Sequence, residues 1–274
     1  MGAIYALVAL GFHIIYNATG AINVAQGEQV ILGGVIALTL LTLFGLPLPL
    51  VFIPTFLAGA AIGLAYERLA IRPLLSAGEL SIIIASFGVA IIMRNGIALF
   101  WGKEPLPFPP FTGETPIDIL GVKIVPQAFW VLGITFAAVI LLNAFFNLTI
   151  TGKAIQAAAN NPTSARLMGI SPVKVVSYSF GLSSLLGAVA GLIISPITFA
   201  GGTLGMMIAI KGYAAAVLGG MTSSAGAVLG GLTLGVLEFM VAGFISSGYR
   251  DAIALGVLLF MLVVRPEGLL GSRR

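Results

Sequence analysis

Residues 151–170, TGKAIQAAANNPTSARLMGI, carry Lys153 and Arg166 and no acidic residue, in a chain that is otherwise almost continuously apolar. Ala154, Ala157, Ala158 and Ala165 predict a smooth helical surface, Asn160, Asn161 and Pro162 an internal break, and Gly169 a stop. A loop between membrane helices needs only a few turn residues, so twenty helix-forming ones predict an element that engages something. One reading is an amphipathic helix lying on the membrane surface. The other is a helix that enters a groove on another protein. Surface helices anchor themselves with Trp and Phe; the segment has neither, which favours the groove.

Working outward, the chain has 274 residues, 59% hydrophobic and 8% charged, with mean hydropathy +1.12. A typical soluble domain is about 25% charged. A spanning helix needs about 20 apolar residues, and lipid accepts only helices or closed barrels, because every backbone N–H and C=O must be satisfied internally. The apolar runs are continuous and do not alternate, which excludes a barrel. We therefore expect an all-α polytopic membrane bundle forming a single domain over 1–274, with eight to nine spans near 2–16, 30–44, 50–66, 80–101, 127–146, 175–195, 203–221, 225–245 and 252–264. GLPLP at 45–49 makes a tight break, and Trp101 and Trp130 flank a Pro-rich loop as interfacial anchors would. Arg94, inside a span, is expected to snorkel towards the interface.

The net charge of +4 is concentrated at Lys153, Arg166 and Lys174 and at Arg265, Arg273 and Arg274. This is the positive-inside pattern of a multi-pass membrane protein, not a nucleic-acid footprint. Both clusters then lie on the cytoplasmic side, with four spans between them. The same rule puts 67–79 inside, the Pro-rich loop outside, and 18–28 inside with Met1 outside, unless the NVAQGEQ region interrupts a single helix. The N-terminus lacks a basic n-region and a cleavage site, so it reads as a retained span; its abrupt start predicts that related chains extend further upstream.

Several chemistries are excluded. With no Cys there is no disulfide or thiolate site, and no His/carboxylate cluster has metal spacing. The pair Gly152-Lys153 is followed by Ala154 and lacks the upstream Gly of a phosphate-binding loop. We expect no cofactor and no enzymatic activity. His13 suits packing or a bond to a nearby carbonyl, and the pairs Ser183-Ser184 and Ser223-Ser224 suit helix packing.

Glu28 and Lys211 are the ionisable residues that stand out in the membrane body, where a charge costs about 2.5–3.5 kcal/mol and faces a cavity or a partner. They sit in polar, Gly-containing breaks, Gln26-Gly27-Glu28 and Lys211-Gly212-Tyr213, each followed by a Gly pair, Gly33-Gly34 and Gly219-Gly220. This weak symmetry predicts repeated halves with discontinuous helices around a substrate pathway, with Lys211 as a possible partner for Glu28. The competing reading places both charges at the interface.

The segment AIQAAANNPTSARLMGI resembles the coupling helix of ABC-importer permeases, and more narrowly that of the LivH-type permease of branched-chain amino-acid importers. GAINVAQGEQVILGG at 20–34, KGYAAAVLGGMTSSAGAVLGGLTLGVLE at 211–238 and RPEGLLG at 265–271 are similar to that family in the same order. The resemblance implies a bacterial-type cytoplasmic (inner) membrane and alternating access driven by two partner ATPase subunits, beside a homologous second permease subunit and below an extracytoplasmic substrate-binding protein. It implies ATPase docking through Lys153, Ala157, Ala158, Asn161, Ala165, Arg166, Met168 and Gly169. Gln26 stands where the family often has His, and Gln156 where a basic residue is common. The first departure bears on substrate: a permease for urea, short amides or a sugar is the alternative, and an ion-driven secondary transporter a more distant one.

Overall fold

The computed structural model describes residues 1–271 apart from Glu114, Leu120 and Thr203. Thr203, where a span was expected to open, and Arg273 and Arg274 of the basic end lie outside the described residues. The chain forms α1 (Gly2–Thr19), α2 (Gln26–Thr42), α3 (Leu48–Tyr66), α4 (Glu79–Trp101), a hairpin of β1 (Ile117–Ile119) and β2 (Val122–Ile124), α5 (Gln127–Leu148), α6 (Ile150–Asn160), α7 (Pro162–Leu167), α8 (Pro172–Thr198), α9 (Gly205–Gly219), α10 (Ser224–Phe244) and α11 (Arg250–Val264). Seven of the described helices are long and apolar enough to cross a membrane. The α2 and α9 helices, of 17 and 15 residues, rise about 26 and 22 Å against a hydrocarbon core of about 30 Å. The expected full span over 203–221 is therefore a shorter, discontinuous helix.

α3 also departs from expectation. It continues past Tyr66 through a π-turn, Glu67–Ile71, and a 3₁₀ turn, Arg72–Leu74. The charged stretch expected on the surface thus begins inside the body, with Glu67 fully buried.

α1 and α8 are buried through most of their length, whereas α3, α4, α5 and α11 expose most of theirs. They pack on each other, with α2 and α3 against α8 and α9 and α10 against α1. The two halves repeat in inverted sense: Gly33 of α2 meets Ala188 of α8, and Gly212 of α9 meets Val8 of α1. Gly33 thus corresponds to Gly212. The pair Gly219-Gly220, which spacing had matched to Gly33-Gly34, lies instead at the α9–α10 turn against Gly226 and Gly271.

Two faces follow. On one, the end of α1, the start of α4, α7 and the start of α8 line a common cleft, and α6, the α9–α10 turn and Leu270 line another. On the opposite face, Leu106 of the Pro-rich loop and Ala200 exchange backbone hydrogen bonds of 2.7 and 2.8 Å. Trp101 Nε1 donates to Thr39 and Trp130 Nε1 to Thr112 beside that loop.

Glycine makes the central contacts possible, because small residues let backbones approach in lipid. A Cβ on Gly191 would overlap the Val30 carbonyl, and one on Gly33 the Ala188 backbone, while Gly133 of α5 has open space beside it. Gly191→Ala and Gly33→Ala should each cost about 1–3 kcal/mol through overpacking, read as a lower thermal unfolding midpoint in detergent. Gly133→Ala should leave the midpoint in place; equal midpoints for all three would contradict this packing.

Candidate functional site

The interior site forms where α2 and α9 begin. The loop over 20–25 leads from the end of α1 back into the body and is held by side chains. Asn23 Oδ1 accepts from the Ala25 N–H at 3.2 Å and the Tyr66 hydroxyl at 2.9 Å, and its Nδ2 donates to Gln26 Oε1 at 3.2 Å. Gln26 is fully buried; its Nε2 donates to the Ser183 carbonyl at 3.2 Å, and Ser183 Oγ lies 2.7 Å from its Oε1. Gln26 and Ser183 thus anchor the loop to α8. A Cβ on Gly27 would overlap the Gly205 carbonyl, so the N-termini of α2 and α9 abut.

Glu28 lies in the first turn of α2 with its carboxylate against Gly205, the first residue of α9. Its side chain is 3% exposed, and Arg94 of α4 binds its Oε1 through Nε at 2.9 Å and Nη2 at 2.5 Å. Arg94 therefore does not snorkel to the interface; a buried carboxylate holds it. Nor does Lys211 pair with Glu28. Lys211 Nζ lies 2.5 Å from Glu238 Oε1 and 2.8 Å from Asp251 Oδ1, and the Tyr5 hydroxyl donates to Glu238 Oε2 at 2.6 Å. Glu28 and Glu238 are buried within the body, and Lys211 is half-buried between Glu238 and Asp251. Gly212 packs on Val8, and the Tyr213 ring lies 5.7 Å from that of Phe12.

Sequence reasoning missed Arg94, Glu238 and Asp251 as partners. The available signal was the charge itself: an ionisable residue in an apolar span predicts an opposite one at reach. Among the described residues, no group of three or more His, Asp or Glu could hold a metal. His13 Nδ1 lies 2.8 Å from the Met221 carbonyl and 2.9 Å from Asn17 Nδ2, so the ring sits against a nearby carbonyl as that reading expected. Ser223, read as a packing residue, caps α10 by accepting from the Gly226 N–H.

The second candidate element is α6–α7. Thr149 Oγ1 accepts from the Gly152 N–H at 3.0 Å to start α6. Asn161 Oδ1 accepts from the Ser164 N–H at 2.9 Å, with Pro162 first in α7. Gly169, at φ 82°, ends the segment while the Ile170 N–H donates to the Ala165 carbonyl. The break at 160–162 and the stop at Gly169 lie where the residues predicted them.

The two faces of this element differ. Gly152 meets the backbone of Phe145 and Phe146, and Ile155 and Ala165 are each 3% exposed. Ala158 and Ala165 line a cleft of about 340 Å³ with Gly20, Glu79 and Pro172. Of the expected docking residues, Lys153, Ala157, Asn161, Arg166, Met168 and Gly169 are exposed, Ala158 is half-buried and Ala165 faces the protein's own body. Leu167, which sequence reasoning left out, is 86% exposed beside Met168 at 82%, forming an apolar knob.

Comparison with known proteins agrees with this architecture. The family model described as "Branched-chain amino acid transport system / permease component" matches residues 1–262. The high-affinity branched-chain amino acid transport system permease protein BraD of Pseudomonas aeruginosa is 32% identical over 286 residues, covering 99% of this chain and 92% of that protein. The corresponding permease protein LivH of Escherichia coli is 29% identical over the same shares of both chains. Among solved structures, PsaBC from Streptococcus pneumoniae in complex with Fab is similar with a TM-score of 0.53 and 17% identity, covering 97% of this chain and 90% of that chain; this likeness concerns the fold.

The ion pairs make a quantitative prediction. Arg94→Met strands the Glu28 carboxylate and should cost about 3–5 kcal/mol, whereas Glu28→Met with Arg94→Met should recover part of the loss, the two helix N-termini being left without their carboxylate. Glu28→Gln and Lys211→Met share no partner and should add within about 0.5 kcal/mol. Denaturant unfolding of the purified variants in detergent checks both; strong coupling between Glu28 and Lys211 would contradict the observed pairing.

Proposed function

This chain belongs to the branched-chain amino acid transport system permease family, and on that premise we propose that it forms the translocation path of an importer for branched-chain or related amino acids. It is an ABC-type permease subunit, with ATP hydrolysis carried by other chains. The observation that supports this most is the α6–α7 element. A segment capped at both starts, with Ile155 and Ala165 turned inward and Lys153, Ala157, Arg166, Leu167 and Met168 outward, suits docking on a partner.

In this reading two ATPase subunits grip α6–α7 of this chain and of a homologous second permease subunit. Closure of the ATPases on ATP moves both elements. The face bearing Lys153, Arg166, Lys174 and Arg265 is assigned to the cytoplasm on the positive-inside rule, and the opposite face, with the β1–β2 hairpin, receives an extracytoplasmic substrate-binding protein. Gln26, Gly27, Glu28, Lys211, Gly212 and Tyr213 border the path through the helices they hold in place. Weak contact with the solute suffices, because the binding protein has already selected it and a tight site slows release.

Docking and orientation are directly testable. Ala157→Trp should abolish co-purification of co-expressed ATPase subunits while the permease still inserts and runs as a single species. Ala165→Trp would disturb the permease itself and is the poorer probe. A cysteine substituted for Ser164 should be shielded from an impermeant thiol reagent in intact cells, and one substituted for Asp118 should be labelled. Retained ATPase in Ala157→Trp would remove the docking assignment, and ATP-independent uptake would favour an ion-driven transporter. Competition of uptake by leucine, urea and ribose separates the amino-acid reading from its solute alternatives.

A further inference from the structure

A line of contacts runs from the region of α7 to the meeting point of α2 and α9, along a row of residues that winds round α8. Its first rung is Ser177. Arg72 binds Glu67 through Nε–Oε1 at 3.1 Å and Nη2–Oε2 at 2.8 Å, and Ser177 Oγ lies 2.9 Å from Arg72 Nη2 and 3.0 Å from Glu67 Oε2. The second is Phe180, whose ring meets the Tyr66 ring edge-on at 5.1 Å and 84°. The third is Ser183, which holds Gln26. Positions 177, 180 and 183 recur every third residue, so successive members are neighbours on the helix surface, and the row winds about 120° round α8 over about 9 Å of rise.

The line also crosses between helices. Tyr66 packs on α8 through its ring and donates its hydroxyl to Asn23, which bonds Gln26; two residues later Glu28 reaches Gly205 and Arg94. At the other end, Pro172, Val175 and Val176 of α8 share a cleft with Ala158 and Ala165 of the coupling segment. The residue after Tyr66 opens the π-turn, and π-turns are frequent at functional sites. Glu67 is fully buried, yet it faces neither the exposed side of α6–α7 nor the meeting point. Neither docking nor the path employs it.

We propose that Tyr66 and Glu67 are positioning residues that couple the α6–α7 segment to the re-entrant loop over 20–25, acting through the row of Ser177, Phe180 and Ser183 on α8. This rests on the ABC-importer reading. If α8 shifts with α6–α7, the ion pair at Ser177 carries the α3 turn with it, and the Tyr66 hydroxyl carries Asn23 and Gln26. Cutting a rung lets the ATPases cycle without moving the loop.

The test uses the whole complex, permease with its ATPases, in proteoliposomes supplied with loaded binding protein, reading leucine uptake and ATP hydrolysis together. Tyr66→Phe removes one hydroxyl and Glu67→Gln one charge. Leucine carried per ATP should fall roughly tenfold in each, an effect in the range of single-contact changes to coupling. The binding-protein concentration for half-maximal uptake should stay unchanged, and Glu67→Asp, which keeps the charge, should recover much of the ratio. A merely structural role lowers uptake and hydrolysis in proportion, so an unchanged ratio in Tyr66→Phe overturns the proposal, even where Glu67→Gln fails to assemble. A wild-type complex without ATP-dependent uptake marks a different failure, that of the importer reading, and removes this proposal with it.

Discussion

Two helix N-termini point at each other inside an apolar body, and that confrontation constrains the rest of the structure. Each terminus presents unpaired N–H groups and about half a positive charge, in a place where lipid offers no water to satisfy them. Glu28 sets one negative charge beside both ends, since it belongs to the first turn of α2 and lies against the first residue of α9. Arg94 then balances the carboxylate from α4. Gly27 and Gly205 are small because the backbones meet there, and the loop over 20–25 must be pinned by Asn23 and Gln26 to deliver Glu28 to that point. The small residues along α1 and α8 follow from the same need, as each short helix must lie flat against a long one.

The inverted halves solve one mechanical problem with opposite chemistry. In each, a charge on the short helix is held by a countercharge on an outer helix: Glu28 by Arg94 of α4, Lys211 by Asp251 of α11. The halves differ in redundancy. Lys211 has a second carboxylate in Glu238, itself bonded by Tyr5, so loss of Asp251 leaves the cation paired. Asp251 is also 53% exposed, where solvent screens an ion pair and lowers its worth. Glu28 has Arg94 as its salt-bridge partner among the described residues, which makes the α2 half the less forgiving of the two.

Much of this was legible in the residues, and the part that was not has a physical reason. Long apolar runs dictate spanning helices, because lipid accepts little else, so the bundle and its discontinuous helices could be read directly. Asn161, Pro162 and Gly169 act on their own backbone, so the break and stop of α6–α7 were equally readable. Arg94 and Glu28 are 66 positions apart and Lys211 and Glu238 27 apart; which charge meets which depends on helix packing that local pattern does not encode. The paired glycines misled for a related reason. Gly33 and Gly212 are equivalent by the helices they touch, whereas the spacing matched Gly33-Gly34 to the turn glycines 219 and 220. Ala165 was assigned outward because alanine suits either side of a helix; only its neighbours decide.

The covalent path agrees with the packing path. Between the end of α7 at Leu167 and the start of α8 at Pro172 there are four residues, 168–171, and Gly169 and Ile170 are hydrogen-bonded back to α7. A connection so short and so bonded transmits displacement and does not absorb it. α8 is then 27 residues long, about 40 Å, and reaches the opposite face. There Phe199 turns the chain at φ 66°, a left-handed conformation that costs a bulky residue about 1–3 kcal/mol and persists only where the surroundings enforce it. Ala200 is clamped to Leu106 immediately afterwards, and α9 opens at Gly205 against Glu28. On the proposed function, α6–α7 is joined to the meeting point by two routes, sideways through Tyr66 and Gln26 and lengthwise along α8 to Gly205. Both routes end where the two short helices abut, so the proposed alternating access has one place at which to act on α2 and α9 together.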